Sequence, residues 1–125
     1  MILKARAKRE TEIKLAKVIK ELEAEKKKVA NLEEKKKNIQ ARREKARTDM
    51  RNKMGSGQAS IKDSQFHLGF ITKLKEDEDV VEQEIKEQKE VVRQVEDKLK
   101  RARRDYRDAG RQAAAGPGAQ RLARD

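Results

Sequence analysis

Three observations predict an all-α protein that folds as an antiparallel two-helix coiled-coil hairpin. Apolar residues recur at alternating steps of three and four residues in two long stretches, which is the 3.5-residue period of a coiled-coil seam. Two glycines, Gly55 and Gly57, separate the stretches. Of the 125 residues, 46% are charged and 2% are aromatic. This composition cannot fill a globular interior but is typical of long helices, and the sustained period argues against disorder.

The first stretch predicts a helix over about residues 3–53, because no glycine or proline interrupts it before Gly55. Eight of its eleven seam positions are apolar, and the polar breaks are Glu25, Lys36 and Arg43. The seam consists of Leu15, Val18, Leu22, Glu25, Val29, Leu32, Lys36, Ile39, Arg43, Ala46 and Met50.

A turn is predicted over residues 54–60. Gly55 suits the left-handed position that follows a helix end. Ser60 can cap the next helix, with Asp63 at the third position after it in place of the usual Glu or Gln. A loop this short returns the second helix antiparallel beside the first.

The second helix is predicted over about residues 61–113, and only Glu78 and Gln88 break its apolar seam. Residues 1–115 would then form a single hairpin. Residues 116–125 contain glycines and the only proline, and we predict a flexible tail there. The second seam consists of Ile71, Leu74, Glu78, Val81, Ile85, Gln88, Val92, Val95, Leu99, Ala102, Tyr106, Ala109 and Ala113.

The register of the hairpin follows from the turn, since the position numbers of facing antiparallel residues add to a constant. A turn centred near Gly57 predicts sums of 113–114. Lys36 then faces Glu78, whereas Arg43 has no acidic partner and should extend its head to solvent. The other matched pairs are Glu25–Gln88, Leu15–Leu99, Val18–Val95, Leu22–Val92, Val29–Ile85, Leu32–Val81 and Ile39–Leu74.

The charges of the two arms differ. Residues 1–54 hold 19 Lys and Arg against 9 Asp and Glu, whereas residues 61–109 hold 12 against 13. The acidic stretch 76–90 faces lysines of the first arm in the predicted register, which favours the pairing. The basic stretch 93–107 instead faces the basic N-terminal arm. The open end of the hairpin, where the chain termini lie, should therefore be strongly positive.

The sequence favours a protein without catalytic or cofactor chemistry. The absence of cysteine removes disulfides, thiolate metal sites and thiol catalysis. His67 is the only histidine, and we expect an ordinary residue at the edge of the seam. We expect the carboxylates of 76–90 to form a solvated, salt-bridged face, because a two-helix rod has no pocket that could shift their pKa values. We expect no enzyme activity, no metal and no cofactor.

The sequence also predicts a cytoplasmic location without membrane insertion. No apolar run approaches the ~18 residues that span a bilayer, and the first ten residues lack the apolar core of a secretory signal.

The densest apolar patch lies close to the turn and consists of Phe66, Leu68 and Phe70, followed by Ile71. The seam cannot accommodate all of them. Two explanations remain open: local packing of the turn against nearby methionines, or a docking surface for another protein.

Several interaction classes are compatible with this composition. A net charge of +11 would attract nucleic acid in a salt-dependent way, but there are few aromatic side chains to stack on bases. No basic region is set apart from a dimerising zipper, so we expect no specific nucleic-acid binding. A prefoldin-like chaperone would carry β-strands at the turn, for which no suitable runs are present. A piece of a longer structural coiled coil also remains open.

Several further features occur together in this chain: Leu3 near a basic start, the Arg9-Glu10 pair, the heptads of 15–50, the glycine-rich turn and the second arm from FHLGFITKLKEDEDVV to RARRDYRDAGR. In these features the chain resembles the FliJ/YscO family, the small stalk proteins of flagellar and virulence-type III secretion export. The likeness covers most of residues 1–112.

The intramolecular hairpin predicts a monomeric or weakly associating protein. The resemblance implies a stalk at the cytoplasmic side of the inner-membrane export apparatus. Family members are similar to the central stalk of rotary ATPases, and their paired ends insert into the hexameric export ATPase. They are also linked to the export gate protein and to export chaperones. The implied ATPase-facing residues are Arg6, Lys8, Arg9, Arg101, Arg103, Arg104 and Arg107, and the implied docking residues at the turn end are Phe66, Leu68 and Phe70.

Overall fold

The computed structural model describes residues 2–57 and 60–124, without the side chains of Ile2, Lys4 and residues 113–124. It contains two helices, α1 (Ile2–Gly55) and α2 (Ile61–Arg124). The helices pack against each other, and the described residues contain no strand. The predicted all-α two-helix hairpin is therefore confirmed. The grouping of residues 1–115 into a single domain stays a prediction.

Both predicted seams are confirmed by burial. Every seam position of α1 is buried or half-buried, including the polar breaks. The same holds for α2 from Ile71 to Ala109, while Ala113 lies outside the described side chains. The flanking residues are almost all exposed, as expected when a highly charged helix buries only one narrow stripe.

The chain divides into two units. The first unit joins Met1–Lys26 to Glu90–Asp125, so it contains both chain ends. Its buried core is wholly apolar and takes two residues from each helix. That core consists of Val18, Leu22, Val95 and Leu99, with Leu15, Val92 and Ala102 packed against it.

The second unit spans Lys27–Lys89 and contains the turn. Its core includes one buried acidic residue, Glu78, and the exposed fraction of the whole residue is 4%. No other polar residue is buried in the part of the chain that the structure describes. The apolar members of this core are Ile39, Leu74, Val81 and Ile85, with Leu32 packed against them.

The register of the second unit differs from the predicted one. Glu78 forms its ion pair with Arg43, and Lys36 lies 3.9 Å from Glu82. The prediction that Lys36 faces Glu78 is therefore wrong, and so is the prediction that Arg43 lacks an acidic partner. The numbers 43 and 78 add to 121, against the predicted 114, which is a displacement of one heptad.

The displacement has a simple physical cause. Moving one helix by seven residues returns apolar residues to apolar partners, so the seam period alone does not distinguish neighbouring registers. The prediction also assumed that both helices end level at the turn. With facing numbers adding to about 120, Gly55 lies level with about residue 65, and the first turn of α2 extends past the end of α1.

The structure of the turn confirms the predicted helix cap at Ser60, but a different glycine from the predicted one adopts the left-handed conformation. Ser60 N–H donates to Asp63 Oδ2 at 3.2 Å, and Asp63 N–H donates to Ser60 Oγ at 3.1 Å. This is the reciprocal capping box that the sequence predicted. Gly57, with φ of 72°, adopts the left-handed conformation that was predicted for Gly55. Gly55 instead completes α1, because Ser56 N–H still bonds to Asn52 O at 3.1 Å.

The second helix continues to Arg124 and includes residues 116–124, where a tail was predicted. The alanine run 113–115 favours helix. Whether this stretch is flexible stays a prediction.

Candidate functional site

The seven cations predicted to face an ATPase all lie in the first unit and are exposed. Within the described residues, none of their side chains forms an ion pair or a side-chain hydrogen bond. They are therefore free to bind an external anionic surface. Three belong to α1 and four to α2: Arg6, Lys8 and Arg9, and Arg101, Arg103, Arg104 and Arg107.

A groove between α1 and α2 adds further basic residues to the first unit. Val18 and Ala102 contribute its apolar lining, and Arg101 lies on its α2 side. The structure thus brings the basic stretch of α2 beside the basic N-terminal arm, as the charge pattern predicted. By sequence, this unit holds 18 Lys and Arg against 11 Asp and Glu. The other residues lining the groove are Thr11, Lys14, Lys17, Glu21, Lys98 and Asp105.

The sequence reasoning missed Lys14 and Lys17 as site candidates. Their three-residue spacing, continuing the three-residue step from Thr11, was a usable signal, because it places them on one side of α1. Of the lysines in this groove, Lys98 is neutralised by Glu21, with Nζ–Oε2 at 3.0 Å. Lys14 and Lys17 form no such pair among the described residues. They extend the unpaired positive surface along the groove.

The three apolar residues predicted to dock a partner are exposed but do not form one patch. The exposed fractions are 73% for Phe66, 60% for Leu68 and 38% for Phe70. Phe66 and Phe70 line a groove with Ala46 and Arg42. Leu68 lines a separate surface with Gln65 and Thr72, among others. Local packing of the turn does not account for Phe66 and Leu68, and Met54 is itself 57% exposed.

His67 behaves as a residue at the edge of the seam. It is half-buried, and its ring lies 6.0 Å from that of Phe66 in an edge-on arrangement with an interplanar angle of 78°. Within residues 2–57 and 60–124, no group of three acidic or histidine side chains could hold a metal ion. In the same residues, no helix has an apolar stretch long enough to cross a membrane.

A buried polar cluster surrounds Glu78 in the second unit. Arg43 Nη1 forms an ion pair with Glu78 Oε2, and the exposed fractions of these side chains are 16% and 6%. Gln40 Nε2 donates to Glu78 Oε1 at 3.1 Å, and Lys75 Nζ approaches the same oxygen at 3.9 Å. Sequence reasoning missed Gln40, which is exposed and lies beside the seam. The cluster aligns the helices, since polar residues within a seam typically fix register.

A two-helix hairpin with a narrow buried seam and exposed, highly charged flanks defines the class of this chain as a coiled-coil protein. The family comparison identifies which kind. Residues 1–115 match the model of the YscO-like protein family, and the chain belongs to that family. No curated protein and no solved structure matches the chain significantly. Family membership confirms the resemblance and makes this a protein related to type III secretion and flagellar export, in a family of structural and accessory components.

Proposed function

We propose that this protein is a non-enzymatic stalk of a type III secretion export apparatus. It engages the hexameric export ATPase through the cations of the first unit. The observation that carries this proposal is that all seven predicted cations are exposed and free of ion pairs within the described residues. Positive side chains that are not neutralised internally keep their full charge for a partner.

The electrostatics suit insertion into a ring lined by carboxylates. Complementary charge steers association and fixes orientation more than it adds affinity. The cations alternate with acids that do not neutralise them: Asp105 and Asp108 lie four residues after Arg101 and Arg104 without forming a described ion pair. We therefore expect fast association that slows as ionic strength rises.

The second unit would serve the export gate or export chaperones. Phe66 and Leu68 are the most exposed of its three predicted docking residues, and they line different surfaces. Two separate apolar surfaces could serve two different partners. In this proposal the protein works at the cytoplasmic periphery of the inner-membrane apparatus, in either a flagellar or a virulence system.

The test is binding to the purified export ATPase of the same secretion system. The variant carries Arg101→Glu, Arg103→Glu, Arg104→Glu and Arg107→Glu, and association is measured at low and at high salt. We expect the variant to lose at least tenfold in association rate at low salt and to lose the salt dependence, because the steering charge is reversed. Stimulation of ATP hydrolysis should fall in parallel.

The control applies the same change in net charge to the second unit, through Lys35→Glu, Lys37→Glu, Arg47→Glu and Arg51→Glu, all exposed positions. It should bind the ATPase as the unmodified chain does. Equal losses in both variants would show that net charge alone is responsible and would contradict the proposed site. In a pulldown from a secretion-competent bacterial lysate, salt-sensitive recovery of nucleic acid without the ATPase would overturn the proposed function. Circular dichroism checks that both variants keep the helicity of the unmodified chain.

A further inference from the structure

The α1 seam carries two cations one heptad apart, and the helix it packs against carries a single buried carboxylate in the described part of the chain. Lys36 and Arg43 are both half-buried seam residues, and they are seven positions apart. Glu78 is the one buried acid in the described part of the chain. In the structure Arg43 forms an ion pair with Glu78. Lys36 Nζ instead lies 3.9 Å from Oε1 of Glu82, which flanks the seam. Only one of the two cations can occupy the position opposite Glu78 at a time.

Seven residues make one heptad, so exchanging the cation corresponds to one allowed displacement of the seam. Sliding α1 along α2 by about 10.5 Å brings Lys36 to the position that Arg43 now holds. Most apolar seam residues find apolar partners again, because the seam repeats every seven residues, while Ile71 would come level with Arg43. The facing pairs after the slide would be Val29–Ile85, Leu32–Val81 and Ile39–Leu74.

We propose that the second unit has two registers one heptad apart, and that Glu78 exchanges between Arg43 and Lys36 as the helices slide. Gln40 lies between the two cations along α1, and its amide already donates to Glu78 at 3.1 Å. It can hold the carboxylate while neither cation faces it. This inference does not depend on the partners proposed above.

Charge on the flanks is compatible with both registers, because residues 34–44, which lie alongside residues 76–86 in the observed register, also contain five cations and two glutamates. The slide brings residues 27–37 alongside residues 76–86. The first stretch contains five lysines and two glutamates, and the second contains six acids and one lysine. Opposite charges therefore face each other after the slide, although exposed pairs contribute little individually.

The slide would be visible at the turn. In the observed register the first turn of α2 extends past the end of α1, and Ile61 is 81% exposed. In the second register Lys53 would come level with Ile61, so α1 would cover the beginning of α2. Exchange of the cation at Glu78 would therefore change how much of the beginning of α2 is exposed near the turn.

The chain contains no cysteine, so engineered disulfides can report each register. Val81→Cys with Ile39→Cys traps the observed register, and Val81→Cys with Leu32→Cys traps the proposed one. Val81→Cys with Ala46→Cys is the matched control, because it would need a slide in the opposite direction. All are tested in the full chain under mild oxidation, with the cross-linked peptides identified by mass spectrometry. We expect the first two pairs to form disulfides at least tenfold faster than the control.

Two further substitutions test the exchange at Glu78. Arg43→Met removes the cation of the observed register and should raise the rate of the Leu32/Val81 cross-link relative to the Ile39/Val81 cross-link by about tenfold or more. Lys36→Met should change the same ratio in the opposite direction. If both substitutions leave the ratio unchanged, Glu78 is not the exchanged residue and the proposal is overturned. It is equally overturned if the Leu32/Val81 pair reacts no faster than the control.

Spin labels measure the register without introducing cysteines into the buried core, where they could unfold the chain. Arg47 and Lys86 are both exposed, so labelled cysteines there leave the seam intact. The slide increases their axial separation by about 10 Å. Two distance populations that respond oppositely to Arg43→Met and Lys36→Met support the two registers, and a single unchanged population contradicts them.

Discussion

The cores of the two units solve the same packing problem differently. The first unit buries Val18, Leu22, Val95 and Leu99 and no polar side chain among its described residues. The second unit interrupts a similar apolar set with the pair of Arg43 and Glu78. Apolar layers stabilise the hairpin but repeat every heptad, so they do not select a register. A buried ion pair contributes less net stability, because desolvation offsets its attraction, yet it selects a particular alignment.

The largest effect is expected when one member of the ion pair is removed. Arg43→Ala leaves the carboxylate of Glu78 buried without its cation, and we expect a loss of about 3 kcal/mol in the free energy of unfolding. Urea denaturation followed by circular dichroism measures this loss. Lys75→Ala, which removes only an exposed neighbour of Glu78, should change stability by less than ~0.5 kcal/mol. A loss in Lys75→Ala equal to that in Arg43→Ala would contradict the assigned role.

Replacing both members of the ion pair tests whether it selects the register. Arg43→Leu with Glu78→Leu makes the second core wholly apolar, like the first. We expect stability equal to or above that of the unmodified chain, by up to ~1–4 kcal/mol. The same double variant should lose its register preference, which the disulfide pairs at Val81 would detect. A stable double variant that retains one register would show that the ion pair does not select the alignment.

A cavity in the first unit should have a smaller effect than the broken ion pair. Leu99 is 7% exposed in the apolar core, and Leu99→Ala should cost about 2 kcal/mol. This lies at the low end for buried leucine, because a narrow seam can partly collapse around the cavity. Leu3, which is 76% exposed, is the control, and Leu3→Ala should stay within about 0.5 kcal/mol. Thermal unfolding of the two variants under identical conditions provides the measurement.

The two glycines at the turn should respond with opposite signs. Gly57 has φ of 72°, where an alanine Cβ is strained, so Gly57→Ala should destabilise by about 1 kcal/mol. Gly55 is helical, and nothing lies within 4 Å of a Cβ added there. Gly55→Ala should therefore stabilise by about 0.5–1 kcal/mol. Destabilisation by Gly55→Ala would contradict the assignment of Gly57 as the left-handed residue.

The smallest expected effect is a pH dependence at the start of α2. The Ser60 backbone N–H, followed by the Ser60 hydroxyl, lowers the pKa of Asp63 below its usual value. A lowered pKa in the folded state means that the stabilisation is present above the pKa of unfolded aspartate, about 3.9. It is lost as pH falls through the lowered folded value. Amide chemical shifts of Ser60 and Asp63 would follow the titration, and Asp63→Asn should abolish it.

Local rules of the sequence predicted most of the fold. The heptad positions identified the buried stripe of both helices, because burial on an isolated pair of helices depends only on the 3.5-residue period. The capping box was predicted because it involves residues only three positions apart. The register could not be derived in this way. It depends on how far Ile61 extends beyond Gly55, which is a property of the folded turn and not of the repeat.

The candidate sites also include features that local sequence rules predicted and features that depend on the register. The exposure of Arg101 and its neighbours followed from their positions off the seam. That Phe66 and Leu68 line different surfaces followed from the helical geometry of α2, but their clustering in sequence suggested one patch. The ion pair of Arg43 with Glu78 required the correct register, so it was missed together with the register.

The continuous heptad phase of the seam also restricts how a chain of this kind can change in length over evolution. An insertion or deletion in one helix shifts the phase of everything beyond it, unless it adds or removes a whole heptad. Even then the opposite helix needs a compensating change to keep Arg43 at the level of Glu78. Related chains should therefore differ in length by matched blocks of seven residues in both helices, and the spacing between these two charged residues and the turn should vary in step.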